Sequence, residues 1–296
     1  MRRSVWLVLG GIVSVQVGAA IAKGLFDRVD PTGMVFLRLA TSALIFLAVA
    51  RPALRGRTRA DWYVALGFGA SLATMNWAIY QSFARIPLGL AVTIEFIGPL
   101  TIAVLGSRRA RDLLWVALAG LGVLLLGFDP SGVTMVGVLF ALLAGAAWAS
   151  YILLSASTGR RWQGLDGLTV ASVFAALALT PVVIPLTGDR LLDPTVLALG
   201  AAVGLLSSVV PYSLELVALR TLPTSTFGIL MSMEPAAAAL AAILILHEHL
   251  GPLQWLAVGC VVAASIGATR SAAQATPDAE LTKTSHGVDA GVDPLP

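Results

Sequence analysis

The apolar residues of this chain lie in long unbroken runs, which are separated by short links rich in charged residues, glycine or proline. Hydrophobic residues make up 57% of the 296 residues and charged residues only 12%, whereas a soluble domain carries about 25% charged residues. Long runs without alternation also exclude a porin-type barrel, a collagen, a disordered chain and a disulfide scaffold. The sequence therefore predicts an all-α polytopic membrane protein.

The apolar runs are long enough to give ten membrane-spanning helices, since one span needs about 20 apolar residues. We predict the spans at 5–26, 31–50, 61–83, 88–106, 112–128, 133–157, 167–186, 195–219, 224–246 and 252–269. These spans leave only short links before Arg270, so no soluble domain is expected there. The tail 271–296 is rich in polar residues, Pro and Gly, and we expect it to be disordered.

The basic residues predict how the spans are oriented. If the N-terminus is cytoplasmic, most Lys and Arg side chains fall in cytoplasmic links or at the termini, as the positive-inside rule requires. The exceptions are Lys23, Arg28, Arg85 and Arg190, which fall on the opposite side of the membrane, and Arg38, which lies within a span. We therefore expect both termini to be cytoplasmic. The basic start of the chain is not interpreted as a cleaved signal, because nine further spans follow the first one.

An even split of ten spans gives two sets of five, at 1–128 and 129–270. Because five is odd, the second set would enter the membrane inverted relative to the first, which is an arrangement typical of transporters. A weak internal match supports this division: Pro87 and Pro99 are followed 136 residues later by Pro223 and Pro235. The match is too short to prove a duplication.

Four charged residues lie more than three residues from either end of a predicted span: Arg38, Glu95, Glu215 and Glu234. A charged side chain at mid-bilayer costs about 2.5–3.5 kcal/mol, so each is expected to face a cavity or a partner. Glu234 lies about 15 Å into the ninth span, near the bilayer centre. It is the strongest functional candidate, and its alternative role is structural hydrogen bonding.

Arg38 and Glu95 both lie about 10 Å below the predicted outer face, so the two side chains could pair. The alternatives are a permanent structural ion pair, or an Arg38 side chain that extends to the outer headgroups. Glu215 lies close to Arg220 at the cytoplasmic end of its span. It could therefore be a group at a cytoplasmic gate or an acid near the membrane surface.

Polar and aromatic residues at helical spacing surround these charges. Asn76 and Tyr80 are four residues apart on the third span, and Trp148 and Tyr151 are three apart on the sixth. Together with Tyr212 of the eighth span, they could line a wet pocket. Each aromatic side chain could instead pack against a neighbouring helix.

Enzyme motifs are absent from the sequence, which has no Walker loop, nucleophile elbow or zinc-binding helix motif. His247 and His249 are two residues apart and would point to different sides of a helix, so a metal site is not expected. Cys260 is the single cysteine and excludes a disulfide within the chain. The basic residues form no nucleic-acid-binding face. We therefore expect no enzyme activity, no cofactor, no metal and no nucleic-acid partner.

Several segments resemble the bacterial threonine/homoserine exporters, which belong to the EamA family of the drug/metabolite transporter superfamily. They are 86–92 (IPLGLAV), 95–100 (EFIGPL), 211–215 (PYSLE), 222–224 (LPT) and 227–236 (FGILMSMEPA). The strings around Glu95 and Glu234 are fairly specific to this subgroup. The resemblance extends from about residue 10 to residue 270.

This resemblance implies a bacterial inner-membrane efflux protein built from two inverted five-helix repeats. It implies a central cavity formed by spans one to four and six to nine, with spans five and ten at the periphery. The implied partners are the lipid bilayer, protons and a small amino acid such as threonine or homoserine, which is expelled in exchange for protons. An exporter of other metabolites or drugs is the alternative, and the oligomeric state is left open.

An amino-acid zwitterion needs a cation for its carboxylate and an acid for its ammonium group, and a low dielectric strengthens both interactions. We predict these roles for Arg38 and Glu234. The full predicted substrate-binding set is Arg38, Asn76, Tyr80, Glu95, Trp148, Tyr151, Tyr212 and Glu234. The predicted proton-coupling residues are Glu234, Glu95 and Glu215.

Overall fold

The computed structural model describes residues 2–105, 112–126 and 132–288, and the regular structure in these ranges is helical. The helices are α1 (Arg2–Gly24), α2 (Pro31–Ala50), α3 (Arg59–Phe83), α4 (Leu88–Glu95), α5 (Ile97–Leu105), α6 (Leu113–Leu126), α7 (Met135–Arg161), α8 (Asp166–Thr187), α9 (Pro194–Gly204), α10 (Val210–Leu219), α11 (Thr224–Met231), α12 (Glu234–Leu246) and α13 (Pro252–Val288). A short 3-10 helix, Gly188–Leu192, precedes α9, and a π-helical segment, Leu205–Val209, joins α9 to α10.

In the described residues, eight helical segments are long and apolar enough to cross a membrane. They correspond to α1, α2, α4 with α5, α7, α8, α9 with α10, α11 with α12, and α13. The helix α6 is apolar but shorter, and α3 is not among the eight. The expectation of an all-helical, multi-pass membrane protein is confirmed, whereas the count of ten spans stays a prediction. The predicted disorder of the tail also stays a prediction; α13 extends to Val288.

Two spans are interrupted where the sequence places an internal proline. The break between α4 and α5 falls at Phe96, three residues before Pro99, and the break between α11 and α12 lies just before Pro235. Proline has no N–H to donate to the preceding helical turn, so it weakens the helix at these points. Such irregular backbone is tolerated within a membrane only where it faces protein or water.

The two broken spans have closely similar backbones. Both α4 and α11 are eight residues long and begin 136 residues apart, and each follows a proline. Pro87 has φ −54° and ψ 139°, and Pro223 has φ −58° and ψ 142°. The residues that end the two helices also agree, with φ −64° and ψ −13° at Phe96 and φ −62° and ψ −11° at Ser232. The division of the chain at 128/129 remains a prediction.

Small residues bring the broken helices very close to their neighbours. A Cβ atom added to Gly89 of α4 would lie 2.7 Å from the Cα of Ala239 in α12. A Cβ atom added to Gly98 of α5 would overlap the backbone carbonyl of Gly145 in α7. Contacts of this kind let helix backbones approach each other within a bilayer, where no hydrophobic effect drives helices together.

Candidate functional site

A cavity of about 440 Å³ lies between the helices, next to both helix breaks. Its walls come from α1 to α5, α7, the π-helical segment and α10 to α13. Eight of the nine predicted site residues line it: Arg38, Asn76, Glu95, Trp148, Tyr151, Tyr212, Glu215 and Glu234. The structure therefore brings together side chains that are spread over 197 positions of the chain, from Arg38 to Glu234.

The two ends of the cavity differ in how deeply their walls are buried. At one end, here named the sealed end, Ala19, Phe83 and Val92 are buried. At the other end, here named the open end, Glu215 and Thr269 are half-buried. Along α1, α3, α10 and α13, the residues that line the cavity change from buried to half-buried toward the open end. The wall of the cavity is therefore more accessible at the open end than at the sealed end.

Arg38 is held in place by the π-helical segment. Its Nη2 donates to the carbonyl oxygen of Ser207 at 2.9 Å, and its Nε donates to the Oγ of Ser208 at 3.2 Å. Pro211 explains the first bond: it has no N–H to offer to the carbonyl four residues earlier, which is that of Ser207. The break in the helix therefore supplies an acceptor for a buried guanidinium.

Tyr80 does not line the cavity. It is fully buried against Arg38, with 3.5 Å between the Arg38 Nη1 and the Tyr80 hydroxyl and 5.6 Å between the guanidinium carbon and the ring centre. Its ring also packs against Phe26 and Phe83, with 6.0 Å and 5.4 Å between ring centres. Tyr80 therefore contacts the guanidinium group without lining the cavity.

Arg38 points into the protein and is only 8% exposed. Its side-chain hydrogen bonds go to protein atoms on α3 and the π-helical segment. Within the described residues, no ion pair within 4 Å joins Arg38 to Glu95. Arg38 is therefore fixed by neutral groups, which leaves its charge uncompensated by a close carboxylate.

Glu234 is the first residue of α12, directly after the break in that span. Its Oε1 accepts a hydrogen bond from Gln16 Nε2 at 3.5 Å. Its Oε2 is buried and has no hydrogen-bond partner among the described residues. The carboxylate is therefore not enclosed in a fully bonded site, and the helix start favours its negative charge.

Glu95 occupies the matching place in the other broken span, as the last residue of α4. It is 8% exposed, and its carboxylate makes no hydrogen bond or ion pair within the part of the chain that the structure describes. A buried carboxylate is costly without such partners. Glu95 and Glu234 therefore bring two incompletely bonded acids to the wall of one cavity.

Aromatic side chains and an amide complete the wall. Trp148 packs edge-on against Phe96, with 5.3 Å between ring centres, and Tyr151 packs against Phe68 at 4.9 Å. Asn76 donates from Nδ2 to the carbonyl oxygen of Leu72 at 2.8 Å. These contacts fix the orientations of side chains that also face the cavity.

The tenth predicted span is not peripheral, which corrects the expectation from the family resemblance. Ser265 and Thr269 of α13 line the cavity. The Oγ of Ser265 hydrogen-bonds to the Oγ of Ser232 at 2.7 Å, and Ser232 donates to the carbonyl oxygen of Gly228 at 2.9 Å. These hydroxyls therefore link α13 to the helix break beside Glu234. The spacing of Ser265 and Thr269, four residues apart, was the signal in the sequence.

The arrangement combines one anchored guanidinium with three carboxyl groups in a half-closed chamber. Such a site is complementary to a small solute that carries both a negative and a positive group. Among the described residues, no group of three His, Cys, Asp or Glu side chains could hold a metal ion.

Comparison with known proteins places these observations in a family. A model described as the EamA-like transporter family matches residues 135–270. The threonine/homoserine exporter RhtA of Escherichia coli (strain K12) is 43% identical over 275 residues, which cover 90% of this chain and 93% of that protein. The protein of the same name from Salmonella typhimurium (strain LT2) is 43% identical over 272 residues, with 90% and 92% covered.

Two further matches are more distant. An uncharacterized transporter, YwfM of Bacillus subtilis (strain 168), is 32% identical over 169 residues, which cover 56% of this chain and 57% of that protein. A solved crystal structure superposes with a TM-score of 0.61 at 17% identity, covering 90% of this chain and 98% of the other. This last match shows a shared fold only.

Proposed function

Since the chain belongs to the EamA-like transporter family, we propose that it exports small amino acids of the threonine and homoserine type by proton antiport with alternating access. The observation that carries this proposal is that Arg38, Glu95 and Glu234 line one cavity. The names of the RhtA relatives supply the substrate class. On this proposal the protein is a transporter and not an enzyme.

The two ends of a zwitterion would be bound by different walls. Arg38 would bind the carboxylate, because its guanidinium is anchored by Ser207, Ser208 and Tyr80 and has no close acid to neutralise it. Glu234 would bind the ammonium group through its unpartnered Oε2. Charge-assisted hydrogen bonds of this kind are about twice as strong as neutral ones.

Antiport requires a proton and the substrate ammonium group to compete for the same carboxylate. Glu234 is the first candidate, because it both lines the cavity and lacks a full set of partners. Glu95 lies at the matching helix break, and Glu215 lies at the open end, where it would exchange protons with that side. Release of the substrate would then follow protonation of the carboxyl group.

The proposed architecture is ten spans in two inverted repeats, at 1–128 and 129–270. Support comes from the matching backbones of α4 and α11, and from cavity residues that recur at a spacing of 136. Pairs at this spacing on the cavity wall are Val15 with Tyr151, Gln16 with Ile152, Met75 with Pro211, Asn76 with Tyr212, Ile79 with Glu215, Val92 with Gly228, and Glu95 with Met231. Inverted repeats provide two related states that open to opposite sides.

The proposed location is the bacterial inner membrane, with both termini in the cytoplasm. The link after α2 carries Arg51, Arg55 and Arg57, and α7 ends with Arg160 and Arg161, on the side of the open end. By the positive-inside rule this side is the cytoplasm. The structure therefore corresponds to the state that would take up substrate from the cell interior.

Transport by a Glu234→Gln variant tests the proposal. In proteoliposomes, proton-driven threonine transport should be abolished, because glutamine keeps the size of the side chain but cannot exchange a proton. The matched control is Asp27→Asn, which removes an exposed acid outside the cavity and should transport normally. Full proton-driven transport by Glu234→Gln would exclude Glu234 as the coupling residue. Lack of threonine transport by the unchanged protein would refute the proposed substrate.

A further inference from the structure

A charged pair lies beyond the sealed end and takes no part in the proposed binding site. Lys23 near the end of α1 and Glu248 in the link between α12 and α13 form an ion pair, with 2.6 Å between Nζ and Oε1. Their side chains are only 17% and 19% exposed. A pair this well shielded is less weakened by solvent than an exposed surface pair.

Both charged groups also bind the backbone where the chain enters α4: Lys23 binds the link between α3 and α4, and Glu248 binds the first residue of α4. Lys23 Nζ donates to the carbonyl oxygen of Ile86 at 2.7 Å, and the N–H of Leu88 donates to Glu248 Oε2 at 2.9 Å. Leu88 begins α4, and no side chain of the preceding Pro87 caps this helix. Glu248 therefore satisfies an N–H group that the helix itself leaves unbonded.

These contacts lie directly beyond the buried wall of the cavity. Ala19 lines the cavity one turn before Lys23 on α1, and Val92 lines it one turn after Leu88 on α4. On the same side, Gly89 packs against the backbone of Ala239. A route from the cavity through this end would have to pass between α1, α4 and the link that carries Glu248.

We propose that Lys23 and Glu248 are positioning residues that hold the sealed end shut, and that their contacts with each other and with Ile86 and Leu88 break when the cavity opens toward this side. This proposal rests on the proposed export function, which requires the sealed end to open in each cycle. The pair would thereby set the balance between the two states. A permanently structural pair would stay intact in both.

Accessibility of a buried cysteine tests the proposal without any substrate. In a Cys260→Ala background, Val92→Cys places a thiol of similar size on the sealed wall. A membrane-impermeant maleimide is then applied to the outside of vesicles in which the sealed end of the protein faces outward. Lys23→Met, which removes the contacts of Lys23 with Glu248 and with Ile86, should raise the labelling rate by about fivefold or more, as expected for loss of a modest interaction. Glu248→Gln keeps an acceptor for Leu88 and should raise it less.

Two further variants separate this role from general loosening of the fold. Lys23→Arg keeps the positive charge and should label as slowly as the parent. Arg161→Gln breaks the Arg161–Asp61 ion pair, with 3.2 Å between the charged atoms, at a site away from the cavity and should also leave labelling unchanged.

In the double variant Lys23→Met/Glu248→Gln, the labelling rate should equal that of Lys23→Met alone, because the two residues act as one unit.

Unchanged labelling in Lys23→Met, or equal labelling in Arg161→Gln and Lys23→Met, would overturn the proposal. Either result would leave the export function untouched. Failure of threonine transport with the expected labelling would instead refute the export function alone. If Lys23→Met does not fold, the Glu248→Gln variant decides the same question.

Discussion

The sealed and open ends of the cavity are built by different kinds of contact. At the sealed end, charged side chains bind backbone groups and small residues pack backbone against backbone, as Lys23 with Ile86 and Gly89 with Ala239 show. At the open end, the wall consists of half-buried side chains such as Glu215 and Thr269. Hydrogen bonds and close backbone contacts therefore distinguish the sealed end from the open end, where half-buried side chains form the wall.

The proposed binding groups lie between these two ends. Arg38 is fixed through the π-helical segment, and Glu95 and Glu234 lie at helix breaks. The irregular backbone therefore has two consequences. The π-helical segment offers an acceptor to Arg38, and the two helix breaks place Glu95 and Glu234 at helix ends.

The largest effect on transport is expected from substitution of Arg38, the proposed ligand of the substrate carboxylate. Arg38→Gln should raise the KM for threonine at least about 30-fold, because a charge-assisted contact worth about 2 kcal/mol is lost. Arg38→Lys keeps the positive charge but not the bonds to Ser207 and Ser208, so its effect should be smaller. Initial transport rates over a range of threonine concentrations provide the measurement. Equal KM values for all three proteins would mean that Arg38 does not bind the substrate.

A smaller effect is expected from two matched glycines, one at each end. In Gly89→Ala the new Cβ would meet the backbone of Ala239 at 2.7 Å, so α4 and α12 must separate. In Gly228→Ala it would meet the Thr269 Cγ2 at 2.9 Å, and that side chain can rotate away. Overpacking costs about 1–3 kcal/mol and Gly→Ala within a helix gains about 1 kcal/mol. Gly89→Ala should therefore be destabilised by about 1 kcal/mol and Gly228→Ala should be nearly neutral.

Thermal unfolding midpoints of the two glycine variants, purified in the same detergent, check this difference. A midpoint for Gly228→Ala as low as that for Gly89→Ala would show that the open end is packed as rigidly as the sealed end. The contrast between the two ends would then be lost.

Much of the candidate site could be predicted from the sequence, because a charged side chain within a bilayer is costly unless it faces a cavity or a partner. The cost of a buried charge identified Arg38, Glu95 and Glu234 without reference to structure. The breaks near Pro99 and Pro235 have a cause that is visible in the sequence, because proline has no N–H to donate to the preceding turn. The prediction was reliable where the physical penalty was large.

Other features depended on three-dimensional contacts that no spacing reveals. The acceptor for Arg38 is a backbone carbonyl, so nothing in the side chain of Ser207 indicated it. Tyr80 shares a helix face with Asn76, yet it packs behind Arg38 instead of lining the cavity. Ser265 was overlooked because the family resemblance placed its span at the periphery. The partners Lys23 and Glu248 are too far apart in the chain for periodicity to link them.

The central claim is that the cavity binds both charged groups of an amino acid. Calorimetric titration of the purified protein with three small molecules tests this claim. The molecules are threonine, 1-amino-2-propanol, which lacks the carboxylate, and 3-hydroxybutanoate, which lacks the ammonium group. Both analogues are smaller than threonine, so neither is excluded by its size. We expect threonine to bind and each analogue to bind at least about 30-fold more weakly, since each loses one charge-assisted contact. Binding of either analogue with the affinity of threonine would contradict the account.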